Sequence, residues 1–206
     1  MSIDQLESPT PGFIGQVKGS LTRRRYQVTT VFVDHLSDAT YVHHQLTTSG
    51  DETVEAKNAF ETFASSHGVT VRHYHADNGR FAEHKFLNAV KQKGQTISFC
   101  GIGAHFQNGI AEKRIRNLQD AARTMLIHAN RCWPTTITVN LWPHALMLAT
   151  DIRNATSNRN DGRPPLSLLT QTEQTPQLKD FHTFGCPVYI LDKRMQSATK
   201  IPKWEE

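Results

Sequence analysis

Residues Tyr26 to Asp34 read YQVTTVFVD, a run of β-branched and aromatic side chains with no Gly or Pro inside it. Such side chains crowd a helix and fit a pleated sheet, so the run predicts a strand. Ala39 to Leu46, ATYVHHQL, follows across Leu36-Ser37-Asp38 and is expected to be its hairpin partner. Ser2 to Leu6 predicts a short strand before this pair. Pro9 to Gly19 carries Pro and Gly and reads as a loop.

Beyond the hairpin the pattern alternates. Asp51 to His67 places Val54, Ala56, Ala59, Phe60 and Phe63 at helical spacing. Val69 to His75 predicts a buried strand. Ala82 to Lys93 predicts a helix with Phe86, Leu87 and Val90 on one face, ended by Gly94. Thr96 to Cys100 predicts another strand, and the glycine-bearing stretch Gly101 to Gly109 a mobile loop. Ile110 to Arg131 predicts a long helix striped by Ile115, Leu118, Ala122, Met125 and Ala129. A further helix, Val139 to Ala155, follows the Trp133-Pro134 break. Arg159 to Lys179 is polar and proline-bearing and reads as a linker, and Thr183 to Leu191 as a segment ending in a short strand. Three antiparallel strands, then helix, strand, helix, strand, helix, describe an α/β chain. Its mixed sheet of about five strands is flanked by helices, an order consistent with an RNase H-like fold. The expected division is a core over residues 1–158 and an extension over 159–206.

Composition narrows the function classes. At 206 residues, 37% hydrophobic and 20% charged, the chain is long and apolar enough to fold around a core. No apolar run approaches the length of a membrane span, and Met1 to Pro11 lacks the features of a signal peptide. Cys100, Cys132 and Cys186 are far apart and odd in number, which suits free thiols in an intracellular, reducing compartment. A net charge of +4 leans towards a polyanionic partner. Two basic runs concentrate that charge, Arg23-Arg24-Arg25 and Lys113-Arg114 with Arg116.

Two carboxylates have suggestive settings. Asp77 ends a predicted strand and precedes Asn78-Gly79, a turn that can leave the carboxylate facing outward. The plain reading is that Asp77 caps that turn. Glu112 lies in the first turn of the long helix, where the helix dipole alone favours a carboxylate. Helical spacing puts Arg116, Gln119 and Arg123 on its face, away from the apolar stripe. That face suits a phosphate backbone, and equally a solvated surface with an ordinary Glu–Arg pair.

The segments His75-Ala-Asp77-Asn-Gly-Arg-Phe81 and Gln107-Asn-Gly-Ile-Ala-Glu-Lys-Arg114 resemble the signature of integrase catalytic cores of copia-type LTR retrotransposons. There the pattern is roughly S-D-N-G-G-E-F, then Q-N-G-x-A-E-R. Thirty-four residues separate Asp77 from Glu112, close to the interval in retroviral-type integrases. The chain departs from the pattern at Ala76, in the Gly101 to Phe106 loop, and by one residue missing after Gly79. The first carboxylate of the family's triad lies one strand before the hairpin strand, in a D-x-x-G-P-like context. Here that is Asp4, with Asp34 as the alternative.

The resemblance implies a triad of Asp4, Asp77 and Glu112 holding two Mg2+ or Mn2+ ions. It implies DNA 3′-end processing and strand transfer by in-line phosphoryl transfer. The implied partner is DNA, both element ends and target, contacted by Asn108, Lys113, Arg116, Gln119 and Arg123. A homo-oligomer is implied too, found in the nucleus and in a cytoplasmic virus-like particle, with the chain a fragment of a polyprotein. The rival reading is a catalytically decayed, element-derived nucleic-acid-binding module. A nuclease that only hydrolyses is a third. His73, His75, His84 and His105 match no zinc pattern. Trp133 and Trp142 are expected in core or dimer packing.

Overall fold

The computed structural model of the chain describes residues 1–15, 22–101, 105–157, 162–173 and 176–190. Five strands form one sheet: β1 (Ser2–Gly12), β2 (Tyr26–Val33), β3 (Thr40–Gln45), β4 (His73–Ala76) and β5 (Thr96–Phe99). Their order is β3-β2-β1-β4-β5. β1 is antiparallel to β2, with Asp4 opposite Val31, and β2 is antiparallel to β3. β4 joins β1 in parallel, Ser2 opposite His75, and β5 joins β4 in parallel. The sheet is therefore mixed, with β1 at the junction between its antiparallel and parallel halves.

Alternation along β1 sorts its side chains between two cores. Ile3 points to one face and packs with Phe32, Phe60, Tyr74 and Phe86. Leu6 points to the other, with Val31, Leu118, Trp142 and Leu146. Two helices, α1 (Gly50–Ser66) and α2 (His84–Gln92), cover the first face. The second is covered by α3 (Gly109–Cys132) and α4 (Trp142–Ala155). Since side chains alternate with a period of two, Asp4 shares its face with Leu6 and looks towards α3. Beneath α1, Lys57 has no exposed surface and pairs with Glu61 at 2.8 Å, whose carboxylate also accepts from Tyr74 Oη at 2.6 Å. Burial of that cation is tolerable because the partner is in contact and itself hydrogen-bonded.

Four expectations need revision. β1 runs on through Pro9 and Pro11 rather than ending at Leu6. Its register with β2 shifts between Glu7 and Gly12, and a bulged stretch spares the ladder the amide hydrogens that prolines lack. β4 begins at His73, not Val69. The region expected as a linker holds a short helix, α5 (Pro165–Thr170), whose Leu166 and Leu169 line a crevice with Phe60, Phe63 and Asn154. Pro at its first position suits the missing N–H. Among the described residues Thr183 to Ile190 form no strand, and Val188, Tyr189 and Ile190 stand exposed. Part of the glycine-bearing loop, the residues around the expected core boundary at 158, and the tail from Leu191 lie outside the described residues.

Candidate active site

Asp4 stands half-buried on the central strand, its Oδ1 accepting the Gln5 N–H at 2.8 Å. Asp77 directly follows Ala76, the last residue of the neighbouring parallel strand β4. The chain turns at once: Asp77 Oδ1 accepts the Gly79 N–H at 3.2 Å, and Asn78 Nδ2 donates to the Cys100 carbonyl at 2.9 Å. A Cβ at Gly79 would sit 3.2 Å from both Asp77 carboxylate oxygens, so glycine leaves room for that carboxylate. The turn-capping role is thus real, and it aims Asp77 into the crevice it shares with Asp4. That open crevice, about 480 Å³, is lined also by Gln5, Glu7, Gly79, Arg80, Phe81 and Glu83.

Glu112 lies in the first turn of α3, near enough for its charge to act on Asp4. Asn108 fixes where that helix starts. Its Nδ2 donates to the Ile3 carbonyl at 3.0 Å, one residue before Asp4, and only 1% of the residue is exposed. Its Oδ1 is buried without a partner among the described residues. Asn108 is expected from sequence to meet DNA. In the fold it faces inward and ties α3 to β1.

Electrostatics joins the three acids. The Asp4 carboxyl is pushed up to about 6, chiefly by burial. The Gln5 N–H opposes this, and the charges of Asp77 and Glu112 add to it. Burial and the same acids, Asp77 foremost, push the buried Cys100 thiol up. Asp4 therefore lies in the field of both other acids, although Glu112 does not line the crevice of Asp4 and Asp77. Among the described residues no group of three or more His, Cys, Asp or Glu side chains is gathered closely enough to hold a metal ion. Like charges favour such a spread arrangement. The donor chemistry does fit a hard divalent cation: three carboxylates and no thiolate suit Mg2+ or Mn2+ better than zinc.

Asp34 is placed elsewhere. Its Oδ2 accepts both the backbone N–H and the hydroxyl of Ser37, each at 2.7 Å, so it serves the β2–β3 turn. On α3, Lys113, Arg116, Gln119 and Arg123 are exposed, as their spacing predicts. Arg114 breaks from that run. It is 5% exposed and its guanidinium pairs with Asp38 at 2.5 Å. The signal was present in the spacing, since Ala111, Arg114, Leu118 and Ala122 form the buried stripe. His73 and His75 bond to Thr96 and Ser98 of β5 in a polar ladder on one sheet face.

No protein-family model matches the chain. Solved structures do match its fold. The HTLV-2 integrase catalytic core domain in complex with magnesium aligns with a TM-score of 0.55 at 18% identity, over 81% of this chain and 93% of that one. The catalytic core domain of BIV integrase gives 0.53 at 20% identity, over 82% and 92%. A chain from the simian T-cell lymphotropic virus intasome, solved with PP2A regulatory subunit B56 gamma, gives 0.57 at 16% identity. The match covers 85% of this chain and 54% of that longer one.

The fold is that of a retroviral integrase catalytic core. Its five-stranded mixed sheet and flanking helices are the RNase H-like arrangement expected from the order of elements. Within this integrase-core fold Asp4 occupies the junction strand, Asp77 the end of its parallel neighbour, and Glu112 the helix that packs over β1 and β2. No helix among the described residues is long and apolar enough to cross a membrane.

Proposed function

We propose that the chain is the catalytic core of a copia-type LTR retrotransposon integrase, acting in DNA 3′-end processing and strand transfer. The observation that carries the reading is the shared crevice of Asp4 and Asp77 within the field of Glu112, on an integrase-core fold. Asp4, Asp77 and Glu112 would hold two Mg2+ or Mn2+ ions. When bound, these stabilise charge on the attacking and leaving oxygens of an in-line displacement.

The chain's own residues do the rest. The half-buried Asp4 carboxyl is pushed up to about 6, and the Gln5 N–H orients its Oδ1. Asn108 anchors to β1 the start of α3, the helix that carries Glu112. Lys113, Arg116, Gln119 and Arg123 present the exposed basic and polar face on which a DNA backbone would lie. Element ends and target DNA are the partners on this reading, and the working form is a homo-oligomer.

The test is strand transfer with blunt and recessed duplex ends in Mg2+ or Mn2+. Joined products from the unaltered chain, lost in Asp4→Asn, are the expected result. Duplex binding with no joining or cleavage in either metal would favour the decayed, binding-only module.

A further inference from the structure

We propose that the far end of the β1–β2 ribbon is a second binding site for the phosphodiester backbone of duplex DNA, built on Arg23, Arg24 and Arg25. The inference rests on the function proposed above and extends it to a surface away from the carboxylates.

The arginines stand at the end of a pinned ribbon. Gly12 pairs with Tyr26, so Phe13 and Arg25 lie just beyond the last rung. Trp142 Nε1 donates to the Thr10 carbonyl at 2.8 Å, Asn140 Nδ2 to Pro11 at 2.7 Å, and the Phe13 N–H to Asn140 at 2.7 Å. Gly12 lies so close to α4 that a Cβ there would come within 2.3 Å of Pro143. The Arg25 guanidinium sits 5.0 Å from the Phe13 ring centre and donates to the carbonyls of Thr22 and Arg24. Aromatic contact and backbone bonds hold that cation in place without neutralising it.

Among the described residues, charge at this end is uncompensated. Arg23, Arg25, Phe13 and the exposed His144 line a surface groove of about 860 Å³, with no acidic residue among the described residues of its wall. None of the three arginines has a carboxylate within ion-pair distance among the described residues. Arg23 and Arg24 are exposed. Cations held in such a setting suit a row of phosphates, whose bound counterions they release.

The distance suits one duplex reaching both sites. Asp4 lies opposite Val31 and Gly12 opposite Tyr26, and five steps of the unbulged strand β2 at about 3.3 Å each separate them by about 17 Å. That is the rise of about five base pairs of B-form DNA. A duplex held on the α3 face near Glu112 and lying along β1 would therefore meet the arginines within one helical turn.

Salt-titrated binding of the whole chain to a duplex of about 24 base pairs (a length of about two turns) tests this. The Arg23→Gln, Arg24→Gln double variant is expected to flatten the log–log salt slope by about two units, near 0.9 for each lost phosphate contact. The Arg23→Lys, Arg24→Lys variant keeps the charge and should restore the slope, which separates lost contacts from misfolding. An unchanged slope in the Gln variant overturns the site. So does a variant that loses binding only to vesicles containing phosphatidylserine, which would assign the arginines to a membrane surface. Loss of binding in Arg116→Gln, Arg123→Gln with none in the ribbon variant overturns this site and leaves the proposed function standing. A chain that binds no duplex at all overturns both.

Discussion

Arg114 and Asp38 form an ion pair at 2.5 Å that joins the first turns of α3 to the β2–β3 turn. Asp38 also accepts from Arg153 of α4 at 2.7 Å, and Arg114 donates to the Asp38 carbonyl and to the Thr40 hydroxyl. One carboxylate thus holds two guanidinium groups from two helices, and one of those groups lies two residues from Glu112. Asp38 has a positive φ of 65°, a conformation that Asn tolerates as readily as Asp. Asp38→Asn should therefore keep the turn and remove only the charge. Stripping the partner from a buried cation is expected to cost about 3 kcal/mol, seen as a lower urea midpoint at unchanged slope. Arg114→Lys should not substitute for Arg, since both terminal nitrogens are engaged and an ammonium lacks that fork. A midpoint unaltered by Asp38→Asn would reduce the pair to a surface contact.

Gly12 offers a steric test. A methyl group there meets Pro143 at 2.3 Å and the Trp142 ring at 2.8 Å, and both residues are buried at the start of α4. Neither ring can swing aside as a flexible side chain would. Gly12→Ala is expected to destabilise the fold by about 1–3 kcal/mol, the usual range for overpacking. Thermal or urea unfolding reads this directly, and a neutral substitution would mean that ribbon and helix separate freely.

What the sequence discloses of the fold depends on periodicity. β2 and β3 carry dense β-branched patterns and fall within a residue or two of their expected bounds. The helices from Gly50 and Gly109 are long and striped, and they too fall close to expectation. Short elements are harder. β4 has four residues, and its start is set by where β1 and β5 stop pairing rather than by its own composition. Prolines at positions 9 and 11 hide the second half of β1, because nothing local announces a bulge. In the site region, Asp77 and Glu112 stand out by motif and Asp4 by resemblance. Asn108 reads as polar, hence as surface, until tertiary contacts turn it inward, and the burial of Arg114 shows only in its place on the apolar stripe of α3. The pairing of Arg114 with an acid seventy-six residues earlier has no local signature.

Stability should fall with acid in a way traceable to His44. Its imidazole lies between the Thr29 hydroxyl at 2.7 Å and the Pro143 carbonyl at 3.0 Å, edge-on to Trp142. Burial pushes its pKa down to about 4, against the opposing Pro143 carbonyl. Because the folded value is below the ordinary 6.5, the unfolded chain binds the proton first. The stabilisation is complete above about pH 6.5 and is lost as pH falls towards 4. At 1.36 kcal/mol per unit the loss approaches about 3 kcal/mol. His44→Gln should be less stable at pH 7 yet show a shallower decline between pH 6.5 and 4. Parallel urea titrations of the two proteins at several pH values make the comparison, and identical declines would remove His44 from the account.

Binding and chemistry should separate on neighbouring turns of α3. Glu112 and Arg116 are four residues apart on one helix face, the first within the field of Asp4 and the second exposed. Glu112→Gln preserves the shape and hydrogen-bonding reach of the side chain while removing the charge that a divalent cation needs. Duplex binding should persist in this variant. Strand transfer should fall by more than about a hundredfold, beyond what loss of an outer-shell partner costs. Arg116→Ala should do the reverse in emphasis: weaker binding, a salt slope flatter by about 0.9 units, and transfer recovered at saturating DNA and low salt. Salt-titrated binding and a joining assay on the same duplex, run for both variants, distinguish the two roles. Unchanged joining in Glu112→Gln would remove it from the catalytic set, and an unchanged slope in Arg116→Ala would return its face to ordinary solvated charge.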